Sequence, residues 1–213
     1  MKLFKIVVFA AMAMVSSVSA QAAVVSSNMG ANGLTDTSGT LSSDITSGAL
    51  FASGFTTGSV AQQLDWVSLV VANVGRETKT VALFSDNGAG APGSSLGTST
   101  ATTVGSKGVY TFNFSGNSLV ANTQYWILPE TGLKWYREAN DAAPTAQNGS
   151  GFTFAGVRRS TDSGATWAIR TQRYNISVSS SDVPPPPPAV PEPALTSLLC
   201  FGGIALIRRR MKK

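Results

Sequence analysis

Three carboxylates, Glu130, Glu138 and Asp141, stand close in sequence to the aromatic residues Trp126, Trp135 and Tyr136. Carboxylates beside aromatic surfaces are the equipment of glycoside hydrolysis, in which one carboxyl group protonates the leaving oxygen while another attacks or activates water. Nothing in their spacing separates the roles of acid and base, so solvated loop charges are the simpler account and no catalytic residue is assigned. Trp135 and Tyr136, beside Arg137, also have the makeup of a platform that stacks on sugar rings; burial of Trp135 in a core is the plainer use of that residue. Arg158 and Arg159, with Arg170 and Arg173 close by in sequence, make a basic patch if adjacent strands align. Outside a cell its natural partner is a polysaccharide carrying acidic groups, and a charged strand edge that resists aggregation is the competing use. Trp135, Tyr136, Arg158 and Arg159 are thus the candidate glycan contacts.

Composition removes several other chemistries. The 213 residues include no His and a single Cys, Cys200. Ser-His-Asp catalysis, Cys or His nucleophiles and most zinc and copper sites lack a necessary side chain, and no metal or cofactor is assigned. Disulfides are equally absent, so the domain has to stand on its core. Asp86-Asn87-Gly88 and Asp162 offer oxygens to calcium, but several converging carboxylates or an EF-hand spacing would be needed, and turn chemistry is the default. Ser160-Thr161-Asp162-Ser163-Gly164-Ala165-Thr166-Trp167 resembles the Asp-box of sialidases and other propellers, a hairpin device in which Asp binds turn amides, Gly takes positive φ and Trp packs beneath. It occurs once here, whereas a propeller repeats it in each blade, so a self-capped turn follows and sialidase activity does not.

The elements that would position these residues read as strands. Between residues 23 and 180 Ser, Thr, Gly, Asn, Val and aromatics dominate, without sustained 3.6-residue periodicity. Strand-length segments run over Ala49 to Thr57, Leu64 to Asn73, Thr78 to Ser85, Val109 to Ser115, Gln124 to Pro129, Gly151 to Val157, Ala165 to Arg170 and Arg173 to Ser179. In Tyr110-Thr111-Phe112-Asn113-Phe114 aromatic and polar residues alternate as in a strand with one buried face. Leu64 to Val71 is nearly continuous, as in a central strand covered on both sides. Asn73-Val74-Gly75, Asp86-Asn87-Gly88 and Ser115-Gly116-Asn117 supply turn residues. The expectation is an all-β fold, an antiparallel two-sheet sandwich of jelly-roll type in preference to a barrel. Residues 23 to 48 show little apolar patterning and suit an extended lead-in or an irregular first strand.

Both ends carry a different composition. Residues 1–22 have basic Lys2 and Lys5, an apolar run from Ile6 to Val15 and the small-residue stretch Ala20-Gln21-Ala22, the layout of a helical secretory signal cleaved by signal peptidase after Ala22 or alternatively Ala20. Nine of the 16 Lys and Arg lie between residues 23 and 190, against ten of the 11 acids, so the domain is close to neutral and the basic overall charge implies no nucleic-acid partner. Five prolines, Pro184 to Pro188, cannot join a sheet interior; residues 181–190 are expected to form a stiff linker after a domain spanning 23–180. Then come Val190-Pro191-Glu192-Pro193, 14 largely apolar residues from Ala194 to Ile207, and the cluster Arg208, Arg209, Arg210, Lys212 and Lys213. As a helix those 14 residues reach about 21 Å, short of the roughly 20 residues a comfortable crossing needs. The basic cluster would stay cytoplasmic and halt translocation, which leaves the domain outside.

The ordering over residues 190–213 closely resembles the PEP-CTERM sorting signal of Gram-negative bacteria: a Pro-Glu-Pro motif, a short hydrophobic transmembrane helix and an Arg-rich end. The resemblance implies processing by an exosortase, a membrane-embedded cysteine protease or transpeptidase, during a transient stay in the inner membrane. It also implies a cell-surface or extracellular destination, linked to exopolysaccharide or biofilm. A permanent C-terminal anchor is the alternative. A second set of stretches is similar to the choice-of-anchor R surface domain: Phe55-Thr56-Thr57-Gly58-Ser59, Leu64-Asp65-Trp66-Val67, Val81 to Gly88 with Ala91-Pro92-Gly93, and Leu119 to Trp126. That likeness implies no catalytic residues. The expected function is therefore a non-enzymatic exported surface or matrix protein, with a carbohydrate-binding module as the alternative and a carboxylate-dependent hydrolase behind it.

Overall fold

The computed structural model describes residues 23–27, 29, 41–137 and 152–182. Among these the regular structure is strand throughout, without helix, and every pairing is antiparallel. One six-stranded sheet contains β1 (Ala23–Ser27), β2 (Leu41–Asp44), β4 (Gln62–Ala72), β9 (Gly108–Leu119), β11 (Lys134–Arg137) and β14 (Ile176–Asp182). The other runs β13 (Ala168–Arg170), β12 (Thr153–Ser160), β3 (Leu50–Thr56), β10 (Gln124–Pro129), β6 (Val81–Asp86) and β7 (Pro92–Thr98). A two-stranded ribbon pairs β5 (Thr78–Lys79) with β8 (Thr102–Thr103).

The long strand β4 organises the first sheet. β9 pairs along one edge, while β14 and then β11 share the other. Both of its faces are buried from Val67 to Ala72, as the continuous apolar run predicts. One apolar cluster draws on both six-stranded sheets: Val67, Leu69, Phe112, Trp135 and Val178 from the first, Phe51, Phe55, Leu83, Ile127 and Val157 from the second. β4, β6 and β9 alternate buried and less buried positions over part of their length, the periodicity that lets a sheet bury one face, whereas Phe51 to Phe55 of β3 are buried throughout.

Several sequence expectations are corrected. Ser115-Gly116-Asn117 is no turn: β9 continues through it to Leu119, with Gly116 at φ 75° and a register shift opposite Leu64 and Trp66. This bulge changes which parity faces the core, from Phe112 and Phe114 before it to Leu119 after it. The segment Thr78 to Ser85 breaks at Thr80, whose amide and hydroxyl both donate to Glu130 Oε2 at 2.9 Å. β14 pairs as far as Asp182 with Gln62, so the domain ends near Val183 rather than at Ser180. The chain divides there into two units, 1–183 and 184–213, and the prolines that follow lack the N–H a further ladder would need. The signal segment 1–22 with Ala20 and Ala22, the residues beyond 182, the sorting motif and the basic cluster lie outside the described residues.

Candidate functional site

The hairpin β12–β13 decides where the arginines go. Its connection is built on Asp162, whose Oδ1 accepts from the Ser160 hydroxyl at 2.7 Å and the Thr166 amide at 2.9 Å, while Oδ2 accepts from the Thr166 hydroxyl at 2.5 Å. The Ser160 hydroxyl oxygen in turn accepts from the Gly164 amide at 2.7 Å, and Ser163 and Gly164 take positive φ. These donors, the Thr166 hydroxyl foremost and then Ser160, hold the Asp162 pKa at about 2. The Asp-box is thus a self-capped turn, the role its pattern implied. Asp86 is used in a similar way: one oxygen accepts from the amides of Gly88 and Gly90, the other from Trp126 Nε1 at 2.8 Å and Gln124 Nε2 at 3.2 Å. Both carboxylates considered for calcium therefore face hydrogen-bond donors rather than an open coordination space.

Across the hairpin, Arg158 pairs with Ile169, Arg159 with Ala168, and Val157 with Arg170. Paired residues share a face and neighbours alternate, so Arg159 and Arg170 join buried Val157 on the inner face while Arg158 points outward. Outside, the Arg158 guanidinium lies 5.3 Å from the ring centroid of Trp126, which is fully buried against Gly54. Inside, the Arg159 guanidinium lies 5.6 Å from the ring centroid of Phe51. The adjacent pair Arg158-Arg159 is therefore split between two surfaces. Arg173 packs its guanidinium 5.5 Å from Phe154, beside a 430 Å³ cleft that Arg170 also lines.

Trp135 is withdrawn from any glycan-facing role by its burial. It has 0% exposure, donates its indole N–H to the Asn175 carbonyl at 3.1 Å and packs 4.7 Å from the ring of Tyr174. Tyr136, the next residue on β11, is half-buried on the opposite face with Lys107 Nζ 4.8 Å from its centroid. The four candidate contacts do not form one surface. Glu138 and Asp141 lie outside the described residues, and Glu130 is engaged by Thr80.

A different grouping emerges between β2 of one sheet and β3, β12 and β13 of the other. A 290 Å³ cleft is lined there by Ser43, Asp44, Phe51, Arg159, Arg170 and Gln172, together with Ala49. The Nε atoms of Arg159 and Arg170 are buried and have no hydrogen-bond partner. Asp44, the carboxylate in this lining, sits 3.7 Å from Lys134 Nζ. Tyr174 donates its hydroxyl proton to the lining residue Ser43, at Oγ, over 2.7 Å. Burial raises the Tyr174 pKa, an effect opposed by the Ser43 bond and the positive charges of Arg137, Arg159 and Arg170. Sequence reasoning missed Ser43, Tyr174 and Gln172: Ser43 reaches the arginines only through the strand pairings, and the role of Tyr174 depends on its bond to Ser43. No protein-family model matches the chain, and no curated protein sequence matches it.

Proposed function

We propose that this protein is an exported, non-enzymatic surface or matrix domain, an antiparallel two-sheet sandwich of jelly-roll type, whose C-terminal segment is removed by an exosortase. In this reading it crosses the inner membrane of a Gram-negative bacterium, loses its signal to signal peptidase, pauses at the membrane and then resides at the cell surface or outside, in an exopolysaccharide or biofilm setting. The observation that carries it is the ordered run of Pro191-Glu192-Pro193, a short apolar stretch and Arg208-Arg209-Arg210, which begins just past the proline run that follows β14. A single core fed by both six-stranded sheets supports the sandwich architecture. Intact masses from membrane and extracellular fractions of the native host test the sorting. The expected extracellular species ends between Val190 and Pro193, and Glu192→Ala or loss of Arg208–Arg210 leaves unprocessed chain in the inner membrane. Normal release of either variant sinks the sorting reading.

A second reading, a module that binds extracellular polysaccharide, is favoured by the arginine-lined cleft, and it uses Arg159 and Arg170 without Trp135.

A further inference from the structure

We infer that the cleft between β2 and the β12–β13 hairpin is a binding site for a carboxylated sugar, with the guanidiniums of Arg159 and Arg170 receiving the carboxylate. Two like charges are held here side by side on one sheet face, and each has a buried Nε with no acceptor. Neither makes an ion pair with another described residue. A buried N–H left without an acceptor is costly, and a second half-buried guanidinium beside the first adds repulsion; a carboxylate relieves the repulsion and offers two oxygens that match the planar fork of Arg.

The rest of the cleft suits a sugar ring. Because Ser43 Oγ accepts the Tyr174 proton, its own proton is free to serve another acceptor, and Gln172 offers an amide with both donor and acceptor. Phe51 gives part of the wall an apolar surface. The 290 Å³ volume is at the small end of ligand clefts, which run from about 300 to 1,000 Å³, and fits one sugar unit of a polymer better than a large cofactor. The neighbouring 430 Å³ cleft shares Arg170 and Gln172 and adds Arg173, a place for the next unit of the chain. That the carboxylate belongs to a polysaccharide rests on the reading of an exported domain; the carboxylate chemistry itself rests on the arginines.

The test titrates the full chain with trigalacturonate, with neutral cellotriose, and with a sulfated trisaccharide. Trigalacturonate is expected to bind, at least tenfold more weakly after Arg159→Gln or Arg170→Gln and also after Arg159→Lys, which keeps the charge and loses the fork. Cellotriose is expected not to bind at the same concentration. Equal binding of cellotriose, or wild-type affinity in both Gln variants, overturns the proposal, and tighter binding of the sulfated sugar overturns the carboxylate assignment. Thermal unfolding without sugar guards against a purely structural role. Either Gln variant should unfold at the wild-type temperature or slightly above it, whereas a fall of several degrees would mean that the arginines already serve an acceptor within the chain. Membrane-retained, unprocessed chain that still binds trigalacturonate would sink the export reading and leave the site standing; an exported chain that ignores it would do the reverse.

Discussion

Arg158 and Arg159 are adjacent on β12 and have opposite fates. On the outer face, Arg158 covers Trp126, whose indole N–H donates to Asp86 and whose ring packs against Gly54. Around that indole the donors and acceptors are matched within the fold. On the inner face, Arg159 and Arg170 keep buried Nε protons with no acceptor, at the rim of a cleft. The contrast separates a polar arrangement that completes the structure from one that awaits something outside it, since a buried polar group normally finds its partner inside the fold.

Breaking the outer arrangement should cost the most. Trp126→Ala removes a fully buried indole and one of the donors to Asp86, and is expected to destabilise the domain by about 3–5 kcal/mol in urea unfolding. A loss under about 1 kcal/mol would mean the outer face is not the closed structure described. Gly54→Ala comes next. Its Cβ would sit 2.8 Å from Trp126 Cζ3, an overpacking worth about 1–3 kcal/mol, and the double variant Gly54→Ala with Trp126→Ala should recover that increment.

The Asp162 turn sharpens the comparison through pH. With its folded pKa lowered to about 2 against about 3.9 for a free Asp, the carboxylate stabilises the native state above pH about 4, and this contribution is lost as the pH falls through about 2. Unfolding midpoints of wild type and Asp162→Asn should therefore differ at pH 6 and converge at pH 2. A constant gap across that window would remove the charge from the account. Arg159→Gln should be the mildest change, within about 1 kcal/mol of wild type without ligand, because it loses a contact with the Phe51 ring but no hydrogen bond from Nε. A cost near that of Gly54→Ala would erase the distinction between the two faces.

Where the sequence was legible, local chemistry was strong. β10 matches its expected limits, since Gln124 to Pro129 is a short aromatic and β-branched run bounded by turns. The Asp162 hairpin was readable because every group in it lies within eight residues. β7, by contrast, was missed: Pro92–Thr98 is mostly exposed small and polar residues, and it becomes a strand only because β6 offers a free edge. Gly116 was mistaken for a turn because positive φ serves a bulge as well as a hairpin, and only the partner strand β4 distinguishes them.

The sequence by itself determined the all-β class, the absence of His and of paired Cys, and the turn chemistry, because these depend on composition and on neighbours along the chain. Tertiary structure alone decided which side chains share a face. Register sent Trp135 into the core, split Arg158 from Arg159, and brought Ser43 to Arg159, Arg170 and Tyr174 across more than a hundred residues. With a side-chain period of two, a one-residue change in pairing moves a residue from solvent to core, and that register is set by the bulges and long-range ladders of the assembled sheets.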